Sequence, residues 1–252
     1  VVIGTLYATQ IVENVETINP INEMKTKAVC TYKGNKVGGT KMQYSSLESR
    51  AFADDSIGIF AISNVDNHQI GITKELTTNP RIINTRGYLE PTEDKQEINQ
   101  MGAGELQAPE ELITPSSVKY DHPNRVGFSS GQWKHTLGVR DNCLPFVMTG
   151  YERVLPRQIG NTYVRKSSKP GEIIDINDEL KQITIQHKSG TVEVLEYGKD
   201  IVRNSNFFLK NNLILNCSIG DKVTEHDILA YADNFFLKQG NDVVFSQGTM
   251  AK

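Results

Sequence analysis

From Tyr163 to Ala230 the chain is a succession of short β-branched runs broken by turn residues, which predicts a strand-built second half. Tyr163-Val164-Arg165 and Ile173-Ile174-Asp175-Ile176 read as strands. Ile183-Thr184-Ile185-Gln186 and Thr191-Val192-Glu193-Val194-Leu195 flank Lys188-Ser189-Gly190, which predicts a hairpin with the glycine at its tip. Ile214-Leu215-Asn216-Cys217 leads into a Gly-Asp-x-Val…Asp-x-Leu-Ala run from Gly220 to Ala230, a turn-and-strand pattern used by small interlaced β barrels. The fold class expected is α+β, mainly β.

The first half is less regular. Tyr7, Ile11, Val12, Val15 and Ile18 share one helical face, so residues 5–18 predict an amphipathic helix stopped by Asn19-Pro20. Ile57-Gly58-Ile59-Phe60-Ala61-Ile62 suits a buried strand, and His68 a turn rather than a ligand. Residues 89–117 are polar and Pro/Gly-punctuated, an exposed connector by composition, with a short helix started by Pro109-Glu110-Glu111. The divisions expected are 1–88, a connector at 89–118, and 119–252.

Bulk numbers constrain function weakly. Hydrophobic content of 38% and charged content of 23% are ordinary for a globular chain, and a net charge of -3 does not advertise nucleic-acid binding. Any such contact would be a local patch. Cys30, Cys143 and Cys217 are far apart and odd in number, which fits a reducing compartment and suggests neither a disulfide framework nor a zinc knuckle. The five histidines show no metal spacing, and no apolar run is long enough to cross a bilayer. The start at Val1, without Met or a signal pattern, reads as a fragment or a trimmed piece.

Chemistry concentrates in Tyr120-Asp121-His122-Pro123-Asn124-Arg125-Val126-Gly127-Phe128 and its continuation through Gln132-Trp133-Lys134-His135 to Gly150-Tyr151-Glu152-Arg153. So many long polar heads would need buried partners inside a core, so the stretch predicts a surface facing something polar or anionic. Arg125 is the leading candidate, because a guanidinium grips phosphate bidentately and stays charged at any working pH. Its competing role is an interdomain salt bridge. Trp133 suits packing better than base stacking, and Glu152-Arg153 a structural ion pair. Arg157, Arg165, Lys166 and Lys169 form a loose basic series that lines a channel or is simply solvated. No nucleophile–base pair or P-loop is present.

In order and spacing these motifs resemble the β subunit of multisubunit, cellular-type RNA polymerases. The resemblance runs from about residue 5 to about residue 250. It is carried by Asn19-Pro20…Glu23…Lys27…Gly38-Gly39, the Asn124-Arg125 and Gln132-x-Lys134 stretch, Gly150-x-Glu152-Arg153, and Gly220 to Ala230. It implies a rifampicin-pocket and fork-loop region followed by part of a double-psi β-barrel. Arg125 would then reach the triphosphate of the incoming NTP, with Asn124 orienting it or a sugar hydroxyl. Gln132, Lys134 and His135 would meet the RNA of the hybrid, although His135 serves equally well as a polar packing residue.

Lys41, Met42, Gln43 and Tyr44 would form the fork-loop tip, where Tyr44 stacks on a base or merely caps a solvated hairpin. The resemblance places the catalytic Mg on a β′-like partner, not on this chain, and an acidic segment with paired lysines beyond Lys252. Partners implied are that β′-like subunit, the remainder of the β-like subunit, template DNA, nascent RNA and NTPs, with no membrane. Departures are clear: Ala28-Val29 stand where the family carries an arginine pair, which strips the drug pocket of its cationic wall. Such divergence, with an Asn/Ile/Lys-rich composition, resembles the split polymerases of large bacteriophages, working in the host cytoplasm or carried in the virion. The alternative is a non-catalytic barrel-sandwich (lipoyl-like) carrier or adaptor, supported by Gly220 to Ala230, with Lys188 as the conceivable attachment point.

Overall fold

The computed structural model describes residues 19–31, 46–67, 69–90, 98–115, 117, 122–135, 143–203 and 208–246. The helix expected at 5–18, His68, and the fork-loop tip Lys41, Met42, Gln43 and Tyr44 lie outside them. The chain forms two compact units, residues 1–16 with 23–133, and residues 17–22 with 134–252. The described part is an α+β protein in which short helices precede a mainly antiparallel β region.

Helix α1 (Pro20–Ala28), which belongs to the first unit from Glu23 onward, runs directly into strand β1 (Val29–Thr31). A short helix α2 (Leu47–Arg50) follows. Strand β2 (Thr73–Glu75) pairs antiparallel with β1, Cys30 facing Lys74. The apolar run 57–62 is not a continuous strand. Gly58 takes φ +84, which turns the chain, so Ile59 and Ala61 are buried while Ile62 is 43% exposed. Hydrogen bonds from Ala61 N to Glu75 O and from Thr77 N to Ile59 O then tie this looped segment to β2.

Helices α3 (Ala103–Leu106) and α4 (Pro109–Leu112) come next. The Glu105 carboxylate accepts from Gly102 N at 2.9 Å and caps α3, and Pro109 opens α4 as expected. Of the expected connector, residues 91–97 lie outside the described residues, Glu90, Asn99 and Gln100 are exposed, and the polar Gln107, Glu110 and Glu111 are buried. Helix α5 (Pro123–Gly131) completes the unit. His122 Nδ1 accepts from Asn124 N, Pro123 fills the first turn, and Val126 and Ser130, one turn apart, are the buried stripe. Seating α5 requires Gly127, since a Cβ there would lie 2.4 Å from Asn64 O.

The second unit begins with a 3-10 turn at Tyr151–Arg153 and helix α6 (Leu155–Gln158). Ten strands follow. β3 (Val164–Lys166), β4 (Gly171–Asn177), β5 (Gln182–His187) and β6 (Val192–Glu196) precede β7 (Gly198–Arg203) and β8 (Phe208–Leu215). β9 (Lys222–Val223), β10 (Ile228–Ala232), β11 (Phe236–Gln239) and β12 (Asp242–Phe245) close the unit. One sheet has the order β6-β5-β4-β9, another β3-β10-β8-β7, and β11-β12 is a separate hairpin. The expected β5–β6 hairpin is present, with Gly190 at φ +83.

Alternation builds the core. Ile183 and Ile185 of β5 point inward and pack with Ile173, Val223 and Leu229, each side chain contributing about 1.5–3 kcal/mol by leaving water. The Gly220–Ala230 segment stitches the two sheets: β9 pairs with β4, and β10 pairs with β3 and β8. Its aspartates repeat one device. Asp221 Oδ2 accepts from Ser218 N at 2.7 Å, and Asp227 Oδ2 from Thr224 N at 2.6 Å, each closing a tight turn ahead of a strand. Gly220 (φ +88) and His226 (φ +67) take the left-handed positions these turns demand.

Candidate functional site

Helix α5 places the leading sequence candidates. Arg125 is exposed and Asn124 half-buried in its first turns. Phe128 lies one turn on from them and is 67% exposed. An exposed aromatic next to a guanidinium offers a stacking surface beside a phosphate grip, a pairing the residue list alone did not suggest. The next turn, Gln132–Lys134, is 3-10, with Gln132 half-buried and Lys134 and His135 exposed. Trp133 is an anchor, as its chemistry implied: the indole N–H donates to Thr114 Oγ1 at 2.9 Å. Asn124, Arg125 and Gln132 belong to the first unit, Lys134 and His135 to the second.

The first unit also holds a buried charged cluster invisible in the sequence. Lys25 Nζ lies 2.6 Å from Glu75 Oε1 and 2.8 Å from Glu110 Oε1. Burial and the neighbouring Glu110 push the Glu75 carboxyl up to about 8, so it holds a proton that it shares with Glu110. Burial alone would raise Glu110 as well, but Lys25 and the hydrogen bond from Glu75 hold it below the ordinary carboxylate value. Burial likewise raises Glu111 to about 7, opposed by the hydroxyl of Ser63, which donates to Glu111 Oε1. One ammonium therefore sits among three carboxyls that cannot all ionise in a dry interior.

In the second unit, a cavity of about 580 Å³ opens between the helical turns, β9 and the β11–β12 hairpin. Val223, Leu229 and Val243, all buried, contribute apolar lining, while Arg153, Arg157, Lys222 and Lys238 are exposed around it. Glu152 and Arg153 do not form the expected ion pair. The Glu152 carboxylate is buried on its own turn, accepting from Gly150 N at 2.8 Å and Thr149 N at 3.2 Å. Arg153 instead donates to the neutral Gln239 Oε1 at 3.3 Å.

The basic series 157–169 divides in the same way. Arg157 lines the cavity, but Arg165 Nε donates to Glu196 O, and Lys166 Nζ donates to the carbonyls of Arg157 and Ile159. The cavity thus gathers cations from separate turns and strands, and Lys222 and Lys238 had no sequence signal beyond their charge. Among the described residues, no group of three or more His, Cys, Asp or Glu is arranged to hold a metal ion. No described helix is long and apolar enough to cross a membrane. No protein-family model matches the chain, and no curated protein matches it.

Proposed function

We propose that the chain is part of the β-like subunit of a multisubunit DNA-dependent RNA polymerase. In this reading it helps to build the active-site cleft and depends on a β′-like partner for the catalytic Mg. Support comes from convergence: Gly150-x-Glu152-Arg153 and the Gly220–Ala230 run, far apart in the chain, line one cavity through Arg153, Asp221, Lys222 and Leu229. Motifs read separately from a linear resemblance would have no reason to meet if their order were accidental. The two-sheet second unit, stitched by β9 and β10, would be the opening portion of a double-psi barrel.

Arg125 on α5 would then meet the triphosphate of the incoming NTP, and Gln132, Lys134 and His135 the RNA. The chain's own contribution is positioning and charge neutralisation; the metal supplies the Lewis-acid chemistry when the partner brings it. The enzyme would work in the cytoplasm of a bacterial host. Co-expression with a β′-like subunit and the remainder of the β-like subunit tests this. A stable complex that extends an RNA primer on a DNA template is the expected result, and a chain that stays apart from every such partner would remove the reading.

One observation favours the second reading, a barrel-sandwich carrier. Lys188 is exposed at the turn of the β5–β6 hairpin, where a carrier holds its prosthetic group. Intact-mass measurement of the chain from its native source decides it: a lipoyl- or biotinyl-sized addition lost in Lys188→Arg would favour the carrier.

A further inference from the structure

The first unit carries a hairpin arm with an apolar face and, close to its root, a small apolar socket. The arm spans residues 81–90. Ile83 N donates to Tyr88 O at 2.8 Å and Glu90 N to Arg81 O at 3.0 Å, while Ile82 bridges Leu89. Asn84 Oδ1 accepts from Arg86 N at 2.9 Å and Gly87 takes φ +80, which closes the turn. This register puts Ile83 and Tyr88 side by side on one face, 63% and 62% exposed, with Arg86 exposed at the tip. Tyrosine and arginine beside an exposed aliphatic, on a backbone fixed by its own turn, have the composition of an interface anchor.

The socket, about 200 Å³, is lined by Phe52, Ile57, Phe60, Ile62 and Leu106. None of the five is buried, so its apolar wall is open to a partner. It is smaller than the roughly 300–1,000 Å³ of small-molecule sites and suits a single apolar side chain. The Lys74 ammonium lies 4.4 Å from the Phe52 ring centroid and 5.3 Å from that of Phe60, and it donates to Ala51 O, which holds the two rings in place. Asp54 and Asp55, in the 3-10 turn between Phe52 and Ile57, are exposed at the rim.

We infer that the arm of one copy of this chain fills the socket of a second copy, and the reverse, about a twofold axis. Ile83 enters the socket, Tyr88 covers its mouth, and Arg86 meets Asp54 and Asp55. Charge sets the match, since the arm tip is basic and the socket rim acidic. Position sets the partner. Thr78 N donates to Gln107 O at 2.8 Å and Asn79 N to Gly104 O at 3.2 Å, so the arm springs from beside α3, the helix that supplies Leu106 to the socket. Knob and socket fixed to one short segment make a self-complementary patch, and a twofold dimer satisfies both halves of it in a single encounter. The inference does not rest on the polymerase reading: arm and socket both lie within the first unit.

Sedimentation velocity of the full 252-residue chain over a dilution series tests this. A reversible dimer is expected. Ile83→Asp and, separately, Ile62→Asp should each raise its dissociation constant about tenfold or more, as the loss of an interface anchor does. Both side chains are exposed in the single chain, so the circular dichroism of either variant should match that of the parent. Charge reversal supplies a second measurement. Arg86→Glu alone, or Asp54→Lys with Asp55→Lys alone, should weaken the dimer, because each puts like charges at both contacts. An equal mixture of the two variants should associate again, since every arm then meets a socket of opposite sign.

Three results would overturn the inference: a parent chain that is monomeric at every concentration, a dimer that Ile83→Asp leaves intact, or charge-reversed variants that stay apart when mixed. A monomer whose capture by a β′-like subunit is weakened by Ile83→Asp would assign the arm to that subunit instead. Failure here would leave the polymerase reading intact, and a chain that joins no polymerase partner would leave this dimer intact.

Discussion

At the scale of single residues, two positions carry sharp expectations. Arg125 is exposed on α5, so its removal leaves no buried partner behind and should not disturb the fold. In an assembled polymerase, Arg125→Ala should raise the apparent KM for nucleotides about tenfold or more, the loss of a charged hydrogen bond worth about 1.5–3 kcal/mol. Steady-state kinetics at varied NTP reads this directly, and an unchanged KM removes Arg125 from the site. His226 is the second position. It holds φ +67 in the turn before β10, a conformation that costs an L-residue about 1–2 kcal/mol and glycine almost nothing. Its ring reaches Glu225 only at 3.6 Å and in solvent, too weak a contact to compensate. His226→Gly should therefore stabilise the second unit by up to about 1 kcal/mol, after glycine's own backbone entropy is charged against it. Thermal melting checks the sign; a lower Tm would show that the turn relies on the side chain.

Among the elements, α5 shows most clearly how a polar segment is made to fold. The list of His, Asn, Arg, Lys and Gln suggested only a polar surface, yet the helix signals were in the sequence. His122 caps, Pro123 opens, and Val126 and Ser130 are four apart. What could not be read was the seat. Gly127 lies flat against Asn64, whose main chain is bonded back through Asn64 N to Pro123 O at 3.3 Å. A methyl at Gly127 would sit 2.4 Å from a carbonyl oxygen that cannot move without breaking this contact. Gly127→Ala should thus destabilise the first unit by about 1–3 kcal/mol despite its better helix propensity, and should displace Arg125 with the helix. Denaturant unfolding measures this, and a more stable variant would show that the seat yields.

The connector is exposed at Glu90, Asn99 and Gln100, but its stretch 107–111 is buried for a different reason. Composition counts polar groups but not the ammonium that Lys25 brings from α1 to bury them.

For the molecule as a whole, the Lys25–Glu75–Glu110–Glu111 cluster makes stability depend on pH. Glu75 and Glu111 have folded values of about 8 and about 7, above the ordinary 4.5. Their contribution is complete below pH 4.5 and is lost as pH rises through 7 and 8. Glu110, with its value depressed, works the other way, and its share is lost only as pH falls below the ordinary carboxylate range. Thermal stability of the first unit should therefore fall between about pH 4.5 and pH 8, by on the order of a few kcal/mol, and Glu75→Gln should flatten the decline. A slope unchanged by that substitution would place the titration elsewhere. An assembled enzyme should also resist rifampicin, because Ala28 and Val29 at the α1–β1 junction supply neither charge nor side-chain hydrogen bonds. Micromolar inhibition in a run-off assay would contradict this.

Local chemistry was sufficient for much of the second unit. The β5–β6 hairpin follows from alternation around Lys188-Ser189-Gly190, and the Asp-closed turns at 221 and 227 follow from carboxylates that bond their own backbone. Such features depend on neighbours within a few residues, so the sequence alone determined them. Tertiary packing decided the rest. The turn at Gly58, the burial of Glu110 and Glu111, the freeing of Arg153 from Glu152, and its meeting with Lys222 and Lys238 each depend on groups distant in the chain. Coulomb energy and desolvation are set by distance in space and by exclusion of water, and neither quantity exists until the chain has folded.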